Sequence, residues 1–320
     1  MRRPDISVVI FSDSNPDGCV RLLSSLDVVV NDQVRLEVIL VYKGLNHKVE
    51  RLLREQEHKY KLKLAPAVKN SNRAAGRNKG AALTSHNIIL FLEDIFECSP
   101  ELLKRHAENY ADDNVFAVMG EQFLPPFIKK NRWFRFLDSD YRSIRRWAGE
   151  SDPGSPPLRY VNTANFSVRK EIYESCGGFD ETIDNHEAED IDFAHRLTVN
   201  REGRVAFDQE AVAFCQHAPL KEALKKRYEF GREGIPKLLS IYLGVYGKLP
   251  SRFVKIAGFA PINFYYRLIM TALFTKPFLF IARGLRLVGP ERIAFWMIRY
   301  MLQYYSVWGV KHALKQTKQV

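Results

Sequence analysis

Short apolar runs rich in β-branched residues alternate with helical segments through the first third of the chain, and no other feature constrains the fold as strongly. Such runs occupy residues 6–11, 36–42 and 88–92, and each has the length and the Val and Ile content of a buried strand. The intervening segments 47–60 and 74–83 carry apolar or small residues at helical spacing. This alternation predicts βαβ units and a mostly parallel sheet.

The first half of the chain also contains less regular elements. We expect a turn at 15–18 before a helix at 19–26, a weak strand at 62–68 and a further strand at 115–119. Residues 120–160 are rich in Pro, Arg and aromatic residues and show no clear period. A stretch of this length without a period is typical of a functional loop region. We therefore expect a partly helical insertion that faces an acceptor substrate.

Two acidic residues, Glu93 and Asp94, follow directly after the apolar run at 88–92. In open α/β sheets the ligand binds beyond the carboxyl ends of the strands, so these side chains are expected at the ligand edge. Carboxylate oxygens are the ligands that Mg²⁺ and similar hard cations prefer. Ile95, the next residue, has no ligand atom.

Residues 161–217 combine a short strand, a glycine turn, an acidic cluster that opens the helical run 190–197, and two further apolar strands. The acidic cluster comprises Glu187, Glu189, Asp190 and Asp192. A carboxylate at such a junction could abstract the proton of a sugar hydroxyl. The helix dipole also favours acidic residues in a first turn, so a purely structural role is the alternative.

In the order of these elements, residues 5–217 resemble a family 2 glycosyltransferase, an inverting enzyme with the GT-A fold. The segment RAAGRNKGA at 73–81 lies where that family carries its Ala-Arg-Asn-x-Gly segment, and Glu93-Asp94-Ile95 lies at its Asp-x-Asp position. Glu189-Asp190 matches the pair that supplies the catalytic base. The implied fold is a Rossmann-like, mostly parallel mixed α/β sheet flanked by helices.

The resemblance also implies roles for single residues. Asp190 would be the base, and Glu189 would orient the acceptor or share that role. Asp94, Glu93 and His217 are the candidate ligands of Mg²⁺ or Mn²⁺, with Lys or Arg as alternative sources of positive charge. Asn162, Thr163 and Asn165 could bind sugar hydroxyls. The candidate donor-binding residues are Tyr42, Asn72, Arg77, Asn78, Glu93, Asp94, Asn165, Gly177 and Gly178.

The C-terminal third differs in charge from the rest of the chain. Residues 221–320 hold 18 Lys and Arg against 4 Asp and Glu, whereas residues 1–220 hold 30 against 33. The apolar stretch 253–310 is interrupted by Lys and Arg, so a membrane-spanning helix is not expected. Mixed aromatic and basic helices suit a membrane interface. We predict a catalytic domain at 1–220 and a basic helical region at 221–320, the alternative for the latter being a subdomain packed on the core.

These features favour an enzyme that takes a nucleotide-sugar donor and a glycan or lipid-linked acceptor, at the cytoplasmic face of a membrane. The four cysteines lack metal-ligand spacing and are typical of free thiols. A catalytically weak GT-A domain that serves as a binding or assembly partner is the alternative, because Ile95 interrupts the metal motif. Nucleic-acid binding is disfavoured, since the basic third carries no recognised motif and too many apolar residues.

Overall fold

The computed structural model describes residues 5–30, 34–44, 47–128, 131–139, 155–156, 160–199, 201–215, 218–242 and 274–317. Within these ranges a mixed sheet of eight strands forms the centre of the fold. Its strands are β1 (Asp5–Asp13), β2 (Arg35–Lys43), β3 (Lys61–Pro66), β4 (Ile88–Glu93), β5 (Phe96–Cys98), β6 (Val115–Phe123), β7 (Asn165–Arg169) and β8 (Arg204–Cys215).

The strands lie in the order β3-β2-β1-β4-β7-β6-β8-β5. The first four in this order are mutually parallel. Strand β7 runs antiparallel between β4 and β6, and β5 runs antiparallel along β8. The predicted mostly parallel mixed sheet is therefore confirmed. Because β7 is antiparallel, the residues just before it lie beside the carboxyl end of β4, where the Glu93 amide donates to the carbonyl of Ala164 at 3.2 Å.

Helices cover both faces of the sheet. They are α1 (Pro16–Val29), α2 (His47–Glu55), α3 (Arg73–Ala82), α4 (Leu102–Glu108), α5 (Arg132–Leu137), α6 (Lys170–Ser175), α7 (His186–Thr198), α8 (Leu220–Glu229), α9 (Ile235–Ile241), α10 (Lys276–Val288) and α11 (Glu291–Thr317). Alternate residues of each central strand point to opposite faces. One face of β1 packs in a core with α1 and α4, and the other packs with α3 and α7.

Three expectations about local structure were wrong. Residues 15–18 are not a free turn: Asn15 caps α1 by accepting from the Gly18 amide at 3.2 Å, and Pro16 is the first helical residue. An Asn before Pro is a helix-start pattern. The two strands expected after residue 203 are one strand, β8, with an irregular register opposite Gly120. The helix expected over 47–60 ends at Glu55.

The C-terminal helices pack on the sheet domain through two hydrophobic clusters. One joins Trp133 and Phe136 of α5 to Phe295 and Ile298 of α11. The other joins α7 to α9 and α11 through Ile191 and other buried apolar residues. The described part of the C-terminal region therefore packs against the sheet domain. Among the described residues, no helix has both the length and the hydropathy needed to cross a bilayer.

Candidate active site

Two arginines one helical turn apart, Arg73 and Arg77, project from the start of α3 next to the carboxyl end of β4. Residues spaced by four share a helix face, so both guanidinium groups reach the same region. The helix can approach β1 this closely because Gly76 faces the ring of Phe11, which any Cβ at that position would overlap. The small residues of the RAAGRNKGA segment therefore let α3 pack close to β1, and this packing determines how far the two arginines lie from the sheet.

The arginines join carboxylates that are distant in sequence. Arg77 Nη1 donates to Glu189 Oε1 at 2.8 Å, and Arg73 Nε lies 3.0 Å from the same oxygen. On the other side Arg73 Nη2 pairs with Glu93 Oε1, and Arg77 Nη2 lies 3.7 Å from it. The end of β4 and the first turn of α7 are thereby held together at one edge of the sheet.

Asp190 belongs to the same cluster. Its Oδ1 accepts from the hydroxyl of Thr163 and lies 3.5 Å from Arg77 Nη1. The Thr163 hydroxyl in turn accepts from Arg77 Nη1 at 2.7 Å, so its proton is directed at the carboxylate. Asp190 and Glu189 are both buried. The carboxylate of residue 190 is thus fixed in orientation by a neutral donor and a cation.

Burial controls the protonation of this pair. Removal from water raises the pKa of Glu189 to about 7, and the adjacent Asp190 charge adds to the rise against the opposing effect of Arg77 and Arg73. Burial likewise raises the pKa of Asp190, again against the opposing arginines. Carboxylates with raised pKa values are suited to accept a proton near neutral pH.

Asn72 and Asn78 have structural partners. Asn72 caps α3, accepting from the Ala75 amide at 3.0 Å and donating to the carbonyl of Glu181 at 2.8 Å. Asn78 donates to the carbonyl of Phe179 at 2.9 Å and accepts from the Phe179 amide at 2.9 Å. Both side-chain amides therefore hold the segment after α6 against α3, the helix that carries the two arginines.

Gly177 and Gly178 form the turn that ends α6, with φ angles of +77° and +65°. The amide of Gly178 donates to the carbonyl of Tyr173 at 3.1 Å, as expected where a helix ends in left-handed residues. A Cβ on Gly178 would lie 2.7 Å from Asn78 Oδ1. The close approach that requires glycine here is therefore to Asn78 of the protein itself.

Tyr42 and Asn165 do not face the carboxylate cluster. Tyr42 is 7% exposed and belongs to the larger hydrophobic core, so its ring is not open for stacking on a base. Asn165 is fully buried: its amide donates to the carbonyls of Glu121 and Ala211 at 3.1 and 2.9 Å, and its Oδ1 pairs with His106 Nε2. Because both side chains are enclosed by the protein, the structure does not support their assignment to the donor site. The sequence could not show this, because the burial of a residue in a sheet depends on the neighbouring strands.

Of the candidate metal ligands, Asp94 is a carboxylate at the carboxyl end of β4 and is not paired with the two arginines. Asp94 Oδ2 accepts from the Ser12 hydroxyl at 2.5 Å, whereas Glu93 is paired with the arginines and Ile95 has no ligand atom. His217 lies outside the described residues. No group of three His, Cys, Asp or Glu side chains in the described part of the chain could hold a metal. Mg²⁺ is often bound by one or two carboxylates plus substrate phosphates and water, and Asp94 fits that mode but not a site built from protein ligands alone.

Arg73 and Asp192 are two further charged residues of this region. Arg73 was not singled out, although its spacing of four from Arg77 was a signal that both share one face. Asp192, a member of the acidic cluster, is buried and paired with Arg196 Nη2 at 2.6 Å, and it accepts from the Tyr242 hydroxyl at 2.5 Å. These contacts tie α7 to α9 and leave Asp192 outside the Arg73–Arg77 cluster.

No protein-family model matches the chain, and no curated protein matches its sequence. Solved structures are similar in fold. The mannosyltransferase PcManGT from Pyrobaculum calidifontis, in complex with GDP-Man and Mn²⁺, superposes with a TM-score of 0.58 and 15% identity, over 94% of this chain and 86% of that one. S. aureus TarS 1–349 in complex with UDP gives 0.55 and 14%, over 98% and 92%. The UDP-GlcNAc complex of TarS 1–349 gives 0.54 and 13%. The predicted GT-A fold is confirmed.

Proposed function

We propose that this chain is an inverting glycosyltransferase of family 2, which moves a sugar from a nucleoside diphosphate to an acceptor hydroxyl. The observation that carries the proposal is the position of Asp190: the Arg73–Arg77 pair links it and Glu189 to the carboxyl end of β4, where ligands of open α/β sheets bind. Structures of the same fold hold GDP-Man and UDP-GlcNAc. These support a nucleotide-sugar donor and leave its base and sugar open.

Asp190 would take the proton of the acceptor hydroxyl while that oxygen attacks the anomeric carbon opposite the leaving group. Thr163 and Arg77 hold one carboxylate oxygen, which directs the other toward an acceptor. General-base help of this kind contributes about 10²–10⁴-fold. Glu189, with its pKa raised to about 7, would share the proton or orient the acceptor.

Positive charge is needed where the diphosphate departs. Arg73 lies between Glu93 and Glu189, and guanidinium forks match phosphate oxygens well. Asp94 would hold Mg²⁺ or Mn²⁺ together with the diphosphate, and the cation would supply charge neutralisation of the leaving group. The use of either ion by this chain stays a prediction, motivated by Asp94 and by the Mn²⁺ in the PcManGT complex.

The direct test is a thermal-shift screen of nucleoside diphosphates and their sugars, with and without Mn²⁺, followed by an assay of diphosphate release. A ligand that binds the native state raises the melting temperature by mass action. We expect one base to be selected and release to depend on Asp190. The alternative, a GT-A domain that only binds, is motivated by Ile95; selective donor binding without any turnover would favour it.

We further propose that residues 1–220 form the catalytic unit and that residues 221–320 attach it to the cytoplasmic face of a membrane, where a lipid-linked or cell-surface glycan precursor is the acceptor. The support is a surface of α10 and the start of α11. Between Phe278 and Trp296, eight large apolar side chains are exposed, including Phe280 at 78% and Val288 at 82%. The charged residues of the same segment and its flanks are Lys276, Arg283, Arg286, Arg292 and Arg299 against Glu291.

Apolar side chains framed by cations suit an anionic bilayer, since each Lys or Arg near such a surface adds about 1 kcal/mol of attraction. Val288→Ser in the full chain tests this, with Val28→Ser, equally exposed at 78% on α1, as matched control. Burying a valine side chain in the bilayer stabilises the bound state by about 1 kcal/mol. The affinity for anionic vesicles, measured by cosedimentation, should therefore fall about fivefold for Val288→Ser and not for Val28→Ser. Equal binding by both variants would remove this surface from the proposal.

A further inference from the structure

A cavity of about 300 Å³ lies between α5 and the end of α10, beside the exposed apolar surface. Its lining is mixed: two arginines, one amide, one indole and two leucines. The residues are Asn131, Arg132, Trp133, Leu220, Arg286 and Leu287. A volume of about 300 Å³ is at the lower end of the range for ligand sites. Leu287 is 60% exposed and belongs to the α10 surface, so the cavity opens at the margin of that surface.

The two arginines of this cavity are used differently. Arg132 Nη1 donates to the carbonyls of Arg286 and Gly289 at 3.0 and 2.6 Å, which satisfies the carboxyl end of α10 and fixes it to α5. Arg286 Nε is buried and has no hydrogen-bond partner among the described residues. The Arg286 side chain as a whole is only half-buried and lines the cavity. An anion in the cavity would therefore lie within reach of the more accessible part of this guanidinium group.

The surrounding charges favour an anion. Glu291, the acidic residue nearest in sequence, is already paired with Arg135 Nε at 2.6 Å. The indole of Trp133 donates to the carbonyl of Ala218 at 2.9 Å, so its polar atom is satisfied within the protein. What faces an occupant is therefore guanidinium charge next to apolar carbon. That combination matches a phosphate group attached to an apolar chain better than a fully hydrated anion.

We propose that this cavity is a binding site for the phosphate of a membrane lipid. The phosphate lies against Arg286 and Arg132, and the acyl part of the lipid continues along Leu287 and the α10 surface. The site would give the attachment a fixed orientation, because Arg132 couples α10 to the sheet domain through α5. This inference rests on the proposed membrane attachment and is independent of the sugar chemistry.

The test uses the full chain and dihexanoyl phosphatidic acid below its micelle concentration, followed by calorimetry and tryptophan fluorescence. We expect saturable binding of one molecule per chain and a fluorescence change from Trp133. Arg286→Gln should raise the dissociation constant at least tenfold. Arg292→Gln removes the same charge from an exposed position outside the cavity and should leave it within about twofold.

Inorganic phosphate provides the second arm and should bind at least tenfold more weakly than the lipid. Equal binding of the two anions would overturn the lipid assignment. Equal weakening by Arg286→Gln and Arg292→Gln, or no weakening by either, would overturn the site. If Arg286→Gln lowers the melting temperature, Arg286→Lys keeps the charge but removes the guanidinium fork, and wild-type affinity in that variant would also refute the proposal. Diphosphate release by each variant, unchanged in every case, separates this result from failure of the proposed reaction.

Discussion

Replacing Asp190 by Asn removes the proposed base with almost no change in shape. The lost attraction between the carboxylate and Arg77 Nη1, 3.5 Å apart, is about 5 kcal/mol at an effective dielectric constant of about 20. Keeping a buried carboxylate charged costs several kcal/mol, which the substitution recovers. The amide oxygen can still accept from Thr163. We therefore expect the free energy of unfolding to change by only about 1 kcal/mol, while kcat falls by about 10²–10⁴-fold, or about 3–5 kcal/mol in activation free energy.

The assay is diphosphate release from the donor identified by thermal shift, together with the donor dissociation constant. Asp192→Asn is the matched control: it is the same change two residues away, where the carboxylate holds Arg196 and Tyr242. That variant should lose about 2 kcal/mol of stability and keep kcat within about threefold. Asp190 is not the base if Asp190→Asn retains kcat within about threefold, or if its donor affinity falls as much as its turnover.

Four further results are expected. Since Glu189 has a pKa of about 7 against an ordinary 4.5, kcat/KM should rise with pH to a plateau above about 7 if Glu189 shares the proton, and a flat profile from about pH 5 to 8 would contradict that role of Glu189. The same raised pKa means that the folded state binds more protons, so the melting temperature should fall as pH rises between these values. Mn²⁺ should give the electron paramagnetic resonance spectrum of a bound ion only when nucleoside diphosphate is present, because Asp94 is the one carboxylate of Glu93-Asp94-Ile95 that is not paired with the arginines. Tight binding of Mn²⁺ without nucleotide would argue for a site built from protein ligands. Gly178→Ala should lower stability by more than Gly177→Ala, whose Cβ meets nothing within 4 Å, and equal losses would show that only the positive φ matters.

The sequence was sufficient to predict those elements of the fold whose hydrophobic pattern is strong. The strands β1, β2 and β4 were each predicted within one or two residues, because buried parallel strands are continuous apolar runs. Strand β5, with three residues, was not predicted, since a segment that short carries no period. The start of α1 was missed because its Asn and Pro were read as a turn, although the same pair is a capping pattern.

The proximity of the charged residues could be predicted from the sequence, whereas the surroundings of the amide side chains could not. Glu189, Asp190, Arg77 and Glu93 converge as the family resemblance implied. Asn165 could not be placed, because a fully buried amide that pairs with His106 looks in sequence the same as one that faces a ligand. Thr163 acquires its contact with Asp190 only because β7 runs antiparallel to β4, a pairing that no local pattern reveals.

The most direct test of the whole account is an experimental structure with a bound nucleotide sugar. An acceptor oxygen must fit between the base and the anomeric carbon, with about 3 Å to each. We expect the anomeric carbon to lie about 6 Å from a carboxylate oxygen of Asp190, with the diphosphate beside Asp94 and Arg73. A donor bound with its anomeric carbon far from Asp190, or on another part of the surface, would contradict it.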